Sequence, residues 1–328
     1  MTCSLTFGIG ALALLATMAA AAEPAHSKML IEFGWDEPGT AFMREHAAQM
    51  EATPFDGCVF HADAVDEQGK PLAFTWQCWG KQTFSDAASA VVNNAKLAAT
   101  FARAGGCAGI LFDIEQYNQP LFNYPKQRDA KTRSWSEYAA QARKRGREVM
   151  EAFQAADPDV TILLTYGYSL PWRQARSDPA RLSSAAYGLL APFLDGMLDA
   201  TRGKSRIIDG YESSYGYKDT TRFATAYETM SKGVLPIVAD PEKYRQHFQF
   251  GFGVWMDNNS HRQKWNPQDF SRNFYMPAAF EKTVKEALDR TDEYVWIYTE
   301  EPKWWTAQGH SDKLPDAYVE ALKKAAVR

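Results

Sequence analysis

Short apolar runs that close on polar or aromatic residues recur along the chain, and stretches with apolar positions at helical spacing separate them. Met29 to Trp35 (MLIEFGW) predicts a first strand, then a loop over 36–39 and a helix from Thr40 to about Met50. Gly57 to His61 predicts a second strand. Residues 62–80, with Gly69-Lys70 as a turn, read as a hairpin-like insertion over one end of the fold. Phe84 to Ala104 is an amphipathic helix ended by Gly105-Gly106, and the apolar run from Gly109 gives a third strand. A long loop, Gln116 to Ser134, leads to a helix over Trp135–Ala156 and a fourth strand over Val160–Tyr166. A helix over Pro179–Phe193 precedes two strand-like pieces, Gly196–Ala200 and Arg206–Tyr211, with no helix between them. Helices over Thr221–Lys232 and Pro241–His247 follow, then a strand over Gln249–Met256 and a helix over Pro277–Arg290. A last strand over Glu293–Thr299 and a closing helix over Asp316–Ala326 complete the pattern.

This alternation predicts an α/β fold, a (β/α)8 TIM barrel with one helix missing after the fifth strand. An open doubly wound sheet is the runner-up. It would place a glycine-rich phosphate loop after the first strand, and Phe33-Gly34-Trp35-Asp36-Glu37 is not one. No repeat or linker divides the chain, so 23–328 reads as a single catalytic domain within the 328 residues.

Gly109 to Tyr117 (GILFDIEQY) is the segment around which the chemistry gathers. Asp113 and Glu115 are two apart and share one face of a strand at its C-terminal end, where parallel α/β folds build their sites. Burying two acids together is costly unless they pair or share a proton. Acids and aromatics recur at the other strand ends: Trp35 with Asp36 and Glu37, His61, Tyr166, Tyr211 with Glu212, Trp255 with Asp257, and Trp296 with Tyr298 and Glu300. Aromatic faces hold sugar rings and paired carboxylates act on glycosidic bonds. The candidate catalytic residues are therefore Asp113, Glu115 and Glu212. The candidate substrate-binding residues are Trp35, His61, Tyr117, Tyr166, Tyr211, Trp255, Trp296, Tyr298 and Glu300. Plainer roles compete: Asp36 and Asp257 as helix caps, His61 as a structural histidine, Glu300-Glu301-Pro302 as a solvated turn. Glu32, alone in an apolar strand, is either inward-facing and paired with a cation or part of the site floor. Asp209 and Glu212, three apart, cannot both face inward on a regular strand, and Glu212 is the closer to the rim.

Composition narrows the function classes. A formal net charge of −4 without a basic run excludes a nucleic-acid partner, and 10 Trp, 15 Tyr and 19 Phe supply stacking surfaces for a carbohydrate. Residues 1–22 read as an export signal. The run from Leu5 to Ala22 is apolar or small apart from Thr6 and Thr17, and Ala20-Ala21-Ala22 precedes Glu23. A cut after Ala22 would give a periplasmic or extracellular protein with no membrane contact, although the first residues lack the usual Lys or Arg and an uncleaved anchor is the alternative. Cys58, Cys78 and Cys107 would remain, with Cys58 and Cys107 on neighbouring strands as a candidate bridge. The six His show no HxH or HExxH spacing and no GxSxG is present, so no metal, cofactor or serine nucleophile is expected; the loop acids leave calcium open. Oligomeric state is not encoded in any pattern found.

Gly109–Tyr117 resembles the strand signature of chitinase-type (family 18) glycoside hydrolases, roughly Gly-Ile-Asp-Ile-Asp-Trp-Glu-Tyr, with Asp113-Ile114-Glu115 on the last Asp-x-Glu. Leu111 replaces the family's earlier Asp, and the match covers about nine residues on what counts here as the third strand rather than the fourth. The resemblance implies a secreted TIM-barrel glycoside hydrolase in which Glu115 donates the proton and Asp113 orients it; the Leu111 departure weighs against an N-acetyl sugar. The residues themselves give Glu115 as general acid/base, its pKa raised beside Asp113, and Glu212 as nucleophile or water-activating base. Carboxyls about 5–5.5 Å apart would retain configuration and about 6.5–9.5 Å apart would invert it. A non-catalytic glycan-binding barrel, or a polysaccharide lyase with Tyr166 or His61 as base, are the other classes the pattern allows.

Overall fold

The computed structural model describes residues 28–34, 37–61, 63–65, 71–73, 87–117, 120–259, 264–305 and 314–327. Residues 1–22, where the sequence predicts an export signal, and Trp35, Asp36 and Cys78 lie outside the described residues. The strands are β1 (Met29–Gly34), β2 (Gly57–Cys58), β3 (Asp63–Val65), β4 (Pro71–Ala73), β5 (Ile110–Phe112), β6 (Thr161–Leu164), β7 (Arg206–Asp209), β8 (Phe248–Phe250), β9 (Phe252–Trp255) and β10 (Tyr294–Thr299). The helices are α1 (Thr40–Glu51), α2 (Ala87–Ala104), α3 (Trp135–Ala156), α4 (Ser169–Gln174), α5 (Leu190–Ala200), α6 (Thr221–Glu228), α7 (Pro241–His247), α8 (Pro277–Arg290) and α9 (Asp316–Ala326).

Two parallel sheets carry the architecture, one in the order β2-β1-β10-β9 and one in the order β5-β6-β7-β8; β3 and β4 form the separate antiparallel hairpin expected of the insertion. β8 and β9 are two halves of one strand bent at Gly251. The first half pairs with β7 and the second with β10, so the strand joins the two sheets into one curved array. Gly251 donates its N–H to Asp209 O at 2.8 Å, and a Cβ there would fall 2.8 Å from Tyr294 O, which is why the bend has no side chain. Counted this way, the eight paired segments occupy seven positions, and among the described residues no pairing joins β2 to β5. The described residues thus show a mixed α/β fold with parallel sheets, and the predicted eight-stranded closure is not shown among them.

The strand that drops out is the predicted fifth. Gly196–Ala200 is the last part of α5, which is buried along nearly its whole length. An apolar run that short reads equally well as a buried strand or a buried helix. Gly196 is the contact point of two helices: its Cβ would fall 1.8 Å from Arg143 O, and that of Gly146 on α3 would fall 1.8 Å from Phe193 O. With Gly196–Ala200 helical, the helix expected to be missing is accounted for.

Two packing layers follow from the alternation of the strands. Leu30, Phe112, Ile162, Leu164, Ile207, Val254, Val295 and Ile297 face the helices in the main core. Leu163, Ile208 and Tyr294 form a second cluster with Met29, Ile31 and Leu111 packed against it. That cluster draws on both sheets, so the array curves around a shared interior. Above it Trp296, 1% exposed, spans the interior; its indole N–H donates to Gly210 O at 2.8 Å, and Phe33 and Tyr215 pack on its ring. Phe33 being inward puts the buried Glu32 on the opposite face of β1, which corrects its expected place in the site floor. Cys107 carries a free thiol, so the expected Cys58–Cys107 bridge does not form.

Interior space is set by glycines. A Cβ on Gly253 would lie 2.8 Å from Trp296 Cε2 and Cζ2 and from Tyr215 Cε1, whereas one on Gly57 meets nothing within 4 Å. Gly253→Ala is expected to lose about 1–3 kcal/mol of stability, the usual cost of overpacking, with Gly57→Ala near wild type. Urea unfolding of both variants checks this; equal midpoints would remove the steric role assigned to Gly253.

Candidate active site

The interior cluster is also the floor of the candidate site, because each strand's inward register continues past its end. Leu111 is followed in register by Asp113 and Glu115, Leu163 by Thr165, Ile208 by Gly210, and Tyr294 by Trp296, Tyr298 and Glu300. Asp113 accepts hydrogen bonds from the Glu115 N–H at 2.9 Å and from the Thr165 hydroxyl at 3.1 Å. The Tyr117 phenol donates to Glu115 Oε2.

Glu212 reaches the same region by a different device. Tyr211 adopts a left-handed conformation (φ 43°, ψ 57°), a backbone state that costs a bulky residue roughly 1–2 kcal/mol. It breaks the strand register: Asp209 stays behind, fully buried, and Glu212 turns towards Asp113 and Glu115. Asp209 accepts from Ser169 Oγ at 2.9 Å and from the Tyr211 N–H at 3.0 Å, and the Glu212 N–H donates to Thr165 O at 3.0 Å. Asp209 therefore holds the turn that presents Glu212.

Asp113, Glu115, Glu212 and Tyr166 are all half-buried, as residues lining an open cleft are. Burial pushes the Glu212 carboxyl up to about 9, and the negative charges of Glu115 and Asp113 push the same way; the neighbouring Tyr166 phenol opposes them. Burial also raises Glu115, offset by the Tyr117 hydrogen bond and reinforced by Asp113. Asp113 is raised by burial against its hydrogen bonds from Glu115 N–H, Thr165 and Tyr117. Three carboxyls within one another's field resist ionising together, and Glu212 is the one displaced furthest.

The aromatic wall stands on β9 and β10. Tyr215 stacks on Tyr298 (5.4 Å, 18°) and meets Trp255 edge-on at 5.7 Å. The half-buried Trp255 donates its indole N–H to Asp257 at 3.0 Å. Asp257, raised to about 6 by burial, accepts the Glu300 and Glu301 N–H groups and so caps a loop rather than a helix. Glu300 accepts from Asn259 at 2.6 Å and from the Tyr298 hydroxyl at 3.4 Å.

The fold brings Asp113, Glu115, Glu212, Tyr117 and Tyr166 together, with Trp255, Tyr298 and Glu300 joined to them through Tyr215, whose phenol feels both Glu212 and Glu115. Three expected substrate residues stand elsewhere. Tyr211's ring is buried against Tyr217 and Phe252 in the main core, because the left-handed turn that frees Glu212 turns its neighbour outward. Trp296 is a buried interior plug. His61 lies 3.7 Å from Glu37, at the ends of β1 and β2. Sequence reasoning also passed over Thr165, the inward register partner of Leu163, and Tyr187. The Tyr187 hydroxyl accepts the Gln116 N–H at 3.2 Å, and its phenol is raised by burial and then by Glu115, Asp113 and Glu212. Register alone could have found Thr165, whereas Tyr187 sits in a loop with no periodic signal. Among the described residues no group of three His, Cys, Asp or Glu side chains converges to hold a metal ion.

No family model and no curated protein matches the chain. A solved structure described as a psychrophilic glycoside hydrolase family 10 endo-beta-1,4-xylanase is similar over 79% of this chain and 71% of its own, with 12% identity and a TM-score of 0.36. At that level nothing about the site is drawn from it.

The Glu212 assignment has a pH consequence. The unfolded glutamate titrates near about 4.3 and the folded one at about 9, so between these values the folded state holds the extra proton. Stability from this group is complete below the lower value and falls as pH rises towards the upper one, by about 1.4 kcal/mol per pH unit. Glu212→Gln cannot ionise and escapes that loss. Its melting temperature relative to wild type is expected to climb steadily from about pH 5 to about pH 9; a difference that stays flat would show that Glu212 titrates normally.

Proposed function

We propose that the protein is a glycoside hydrolase in which Glu212, carrying the proton, is the general acid and Glu115 is the nucleophile or water-activating base, with Asp113 holding Glu115 in place. The observation that carries the reading is the meeting of three half-buried carboxyls from two separate strand ends, with the proton displaced onto one of them. Hydrolysis of a glycosidic bond needs one carboxyl that gives a proton and one that is ionised. These roles exchange the ones expected from sequence, where Glu115 was the acid. Glu115 accepts the Tyr117 phenol as an anion would, while Glu212 is the more strongly displaced by burial. The half-buried faces of Trp255, Tyr215 and Tyr298 supply the stacking surface that a sugar ring uses. A lyase with Tyr166 as base is disfavoured, because burial and the neighbouring acids push that phenol far up.

The two glutamates are separated by their response to leaving group. Glu212→Gln is expected to lose about 10²–10⁴-fold in turnover on natural glycans and much less on nitrophenyl glycosides, whose departing oxygen needs little protonation. Glu115→Gln is expected to lose both activities. Steady-state kinetics on the two substrate types check this, and folded variants with wild-type turnover would end the hydrolase reading.

Activity should also fall on the alkaline side as Glu212 gives up its proton. Tyr166 lowers the Glu212 pKa, so Tyr166→Phe should move that alkaline limb to higher pH. A limb that stays put, or moves down, in a kcat/KM profile would show that the limb belongs to another group.

A further inference from the structure

The two chain segments that carry the glutamates are fixed by one residue between them. Thr165 directly follows β6, and β6 stands between β5 and β7 in its sheet. The register pairs Phe112 with Leu164 and Leu164 with Asp209, so Thr165 falls beside Asp113 on one side and Gly210 on the other. Its hydroxyl donates to Asp113 Oδ1 at 3.1 Å, the same oxygen that takes the Glu115 N–H at 2.9 Å. Its carbonyl accepts the Glu212 N–H at 3.0 Å.

The second contact is out of step with the sheet. The Gly210 N–H donates to Leu164 O at 2.8 Å, and regular parallel pairing would take the Glu212 N–H to the carbonyl two residues on, that of Tyr166. The left-handed Tyr211 shortens the step by one, and the bond falls on Thr165 instead. Thr165 is only 3% exposed, so its hydroxyl reaches Asp113 from within the packed wall. A buried hydroxyl is costly unless it is hydrogen-bonded, and valine would fill the same space on a strand end without that cost. What the hydroxyl adds at this position is its bond to Asp113.

We infer that Thr165 is a positioning residue of the site: it sets the separation of Glu115 and Glu212, its hydroxyl acting through Asp113 and its carbonyl on the Glu212 backbone. This rests on the hydrolase reading for the roles of the two glutamates, while the contacts stand without it. Burial raises the Asp113 carboxyl, and its hydrogen bonds, that of Thr165 among them, oppose the rise. The charged and titratable groups that face this carboxyl are Glu115 and Tyr117 beyond the end of its own strand, Glu212 on the turn after β7, and Tyr187 in the loop between α4 and α5. None of them is altered when the hydroxyl is replaced by a methyl, so the effect on Asp113 is that of one lost donor. A carboxyl without that donor also turns more freely. Glu115, whose N–H it holds, is then no longer kept at one distance from Glu212, and small misplacements of reacting groups are costly to turnover.

The test uses the purified full chain as wild type, Thr165→Val, Thr165→Ala and Thr165→Ser. Carboxyl-carbon NMR titration follows Asp113, whose signal is assigned by its loss in Asp113→Asn, and needs no substrate. Loss of one hydrogen bond to the charged form should raise the Asp113 midpoint by about half a pH unit or more in Thr165→Val and Thr165→Ala, with Thr165→Ser near wild type. Amide exchange in wild type should show the Glu212 N–H protected. Turnover is read on a panel of nitrophenyl glycosides and natural glycans. On those that wild type cleaves, Thr165→Val should lose about tenfold or more in kcat with KM within about twofold, Thr165→Ser should restore most of it, and melting temperatures should stay near wild type. A purely structural threonine predicts the reverse: a lower melting temperature, an unmoved Asp113 midpoint and no rescue by serine. An Asp113 midpoint that does not move, or a freely exchanging Glu212 N–H, overturns the inference. Wild-type kcat in Thr165→Val also overturns it and leaves the hydrolase reading intact. If the midpoints move as expected and wild type cleaves nothing in the panel, the hydrolase reading fails while Thr165 still positions the carboxyls.

Discussion

Everything above the floor of the strand array depends on how Trp296 is buried. An indole this large can be enclosed only if its N–H finds a partner and its faces find room. Gly210 gives it a carbonyl at 2.8 Å, and Gly210 and Gly253 give it space by having no side chain. Its ring then seats Tyr215, which stacks on Tyr298 and touches Trp255, so one buried residue fixes the aromatic wall. Gly210 is also the residue before the left-handed Tyr211, which joins the plug to the turn that presents Glu212.

That turn shows how strain and burial are coupled at the site. Tyr211 holds a backbone conformation that glycine would adopt freely, and it is kept there by the Asp209 carboxylate on its N–H and by its ring packed between Tyr217 and Phe252. Asp209 is itself bound to Ser169 at the start of α4, and a Cβ on Gly167 would fall 2.4 Å from its Oδ2. One buried acid thus fixes the left-handed turn of β7 and the entry of α4, and the two ends that frame the cleft cannot move independently.

How much of this was legible in the sequence follows the period of the strands. Leu111, Asp113 and Glu115 read correctly as one face because nothing interrupts their alternation, and the helices over Trp135–Ala156, Pro241–His247, Pro277–Arg290 and Asp316–Ala326 carry clear start and stop signals. Gly196–Ala200 was misread because five residues are too few to separate periods of two and 3.6, and its glycine, a mark of helix crossing, looked like the start of a strand. Tyr211 was misplaced because positive φ on a tyrosine leaves no trace in the pattern. Trp296 reads as a binding surface in the sequence because an inward position says nothing of height, and the two glycines that meet its ring, Gly210 and Gly253, lie elsewhere in the chain. Tyr187 joins the site through tertiary contacts alone.

The acids, once gathered, sort themselves by solvation and by donors. Asp113 accepts from the Glu115 N–H and the Thr165 hydroxyl among its donors, Glu115 accepts from a phenol, and such donors favour the charged form. Glu212 arrives on a strained turn, bears the largest burial penalty, and faces two neighbours whose charges those donors already favour. Burial raises all three carboxyls, the donors to Asp113 and Glu115 oppose that rise, and Glu212 is left displaced furthest, without any residue tuned in isolation. A proton held by mutual repulsion responds to what enters the cleft. A ligand that excludes water strengthens the repulsion and fixes the proton more firmly on Glu212, and the same exclusion leaves Glu115 a less hydrated anion. The asymmetry that acid–base chemistry needs is in this way already present before a ligand binds, and closure around one would deepen it.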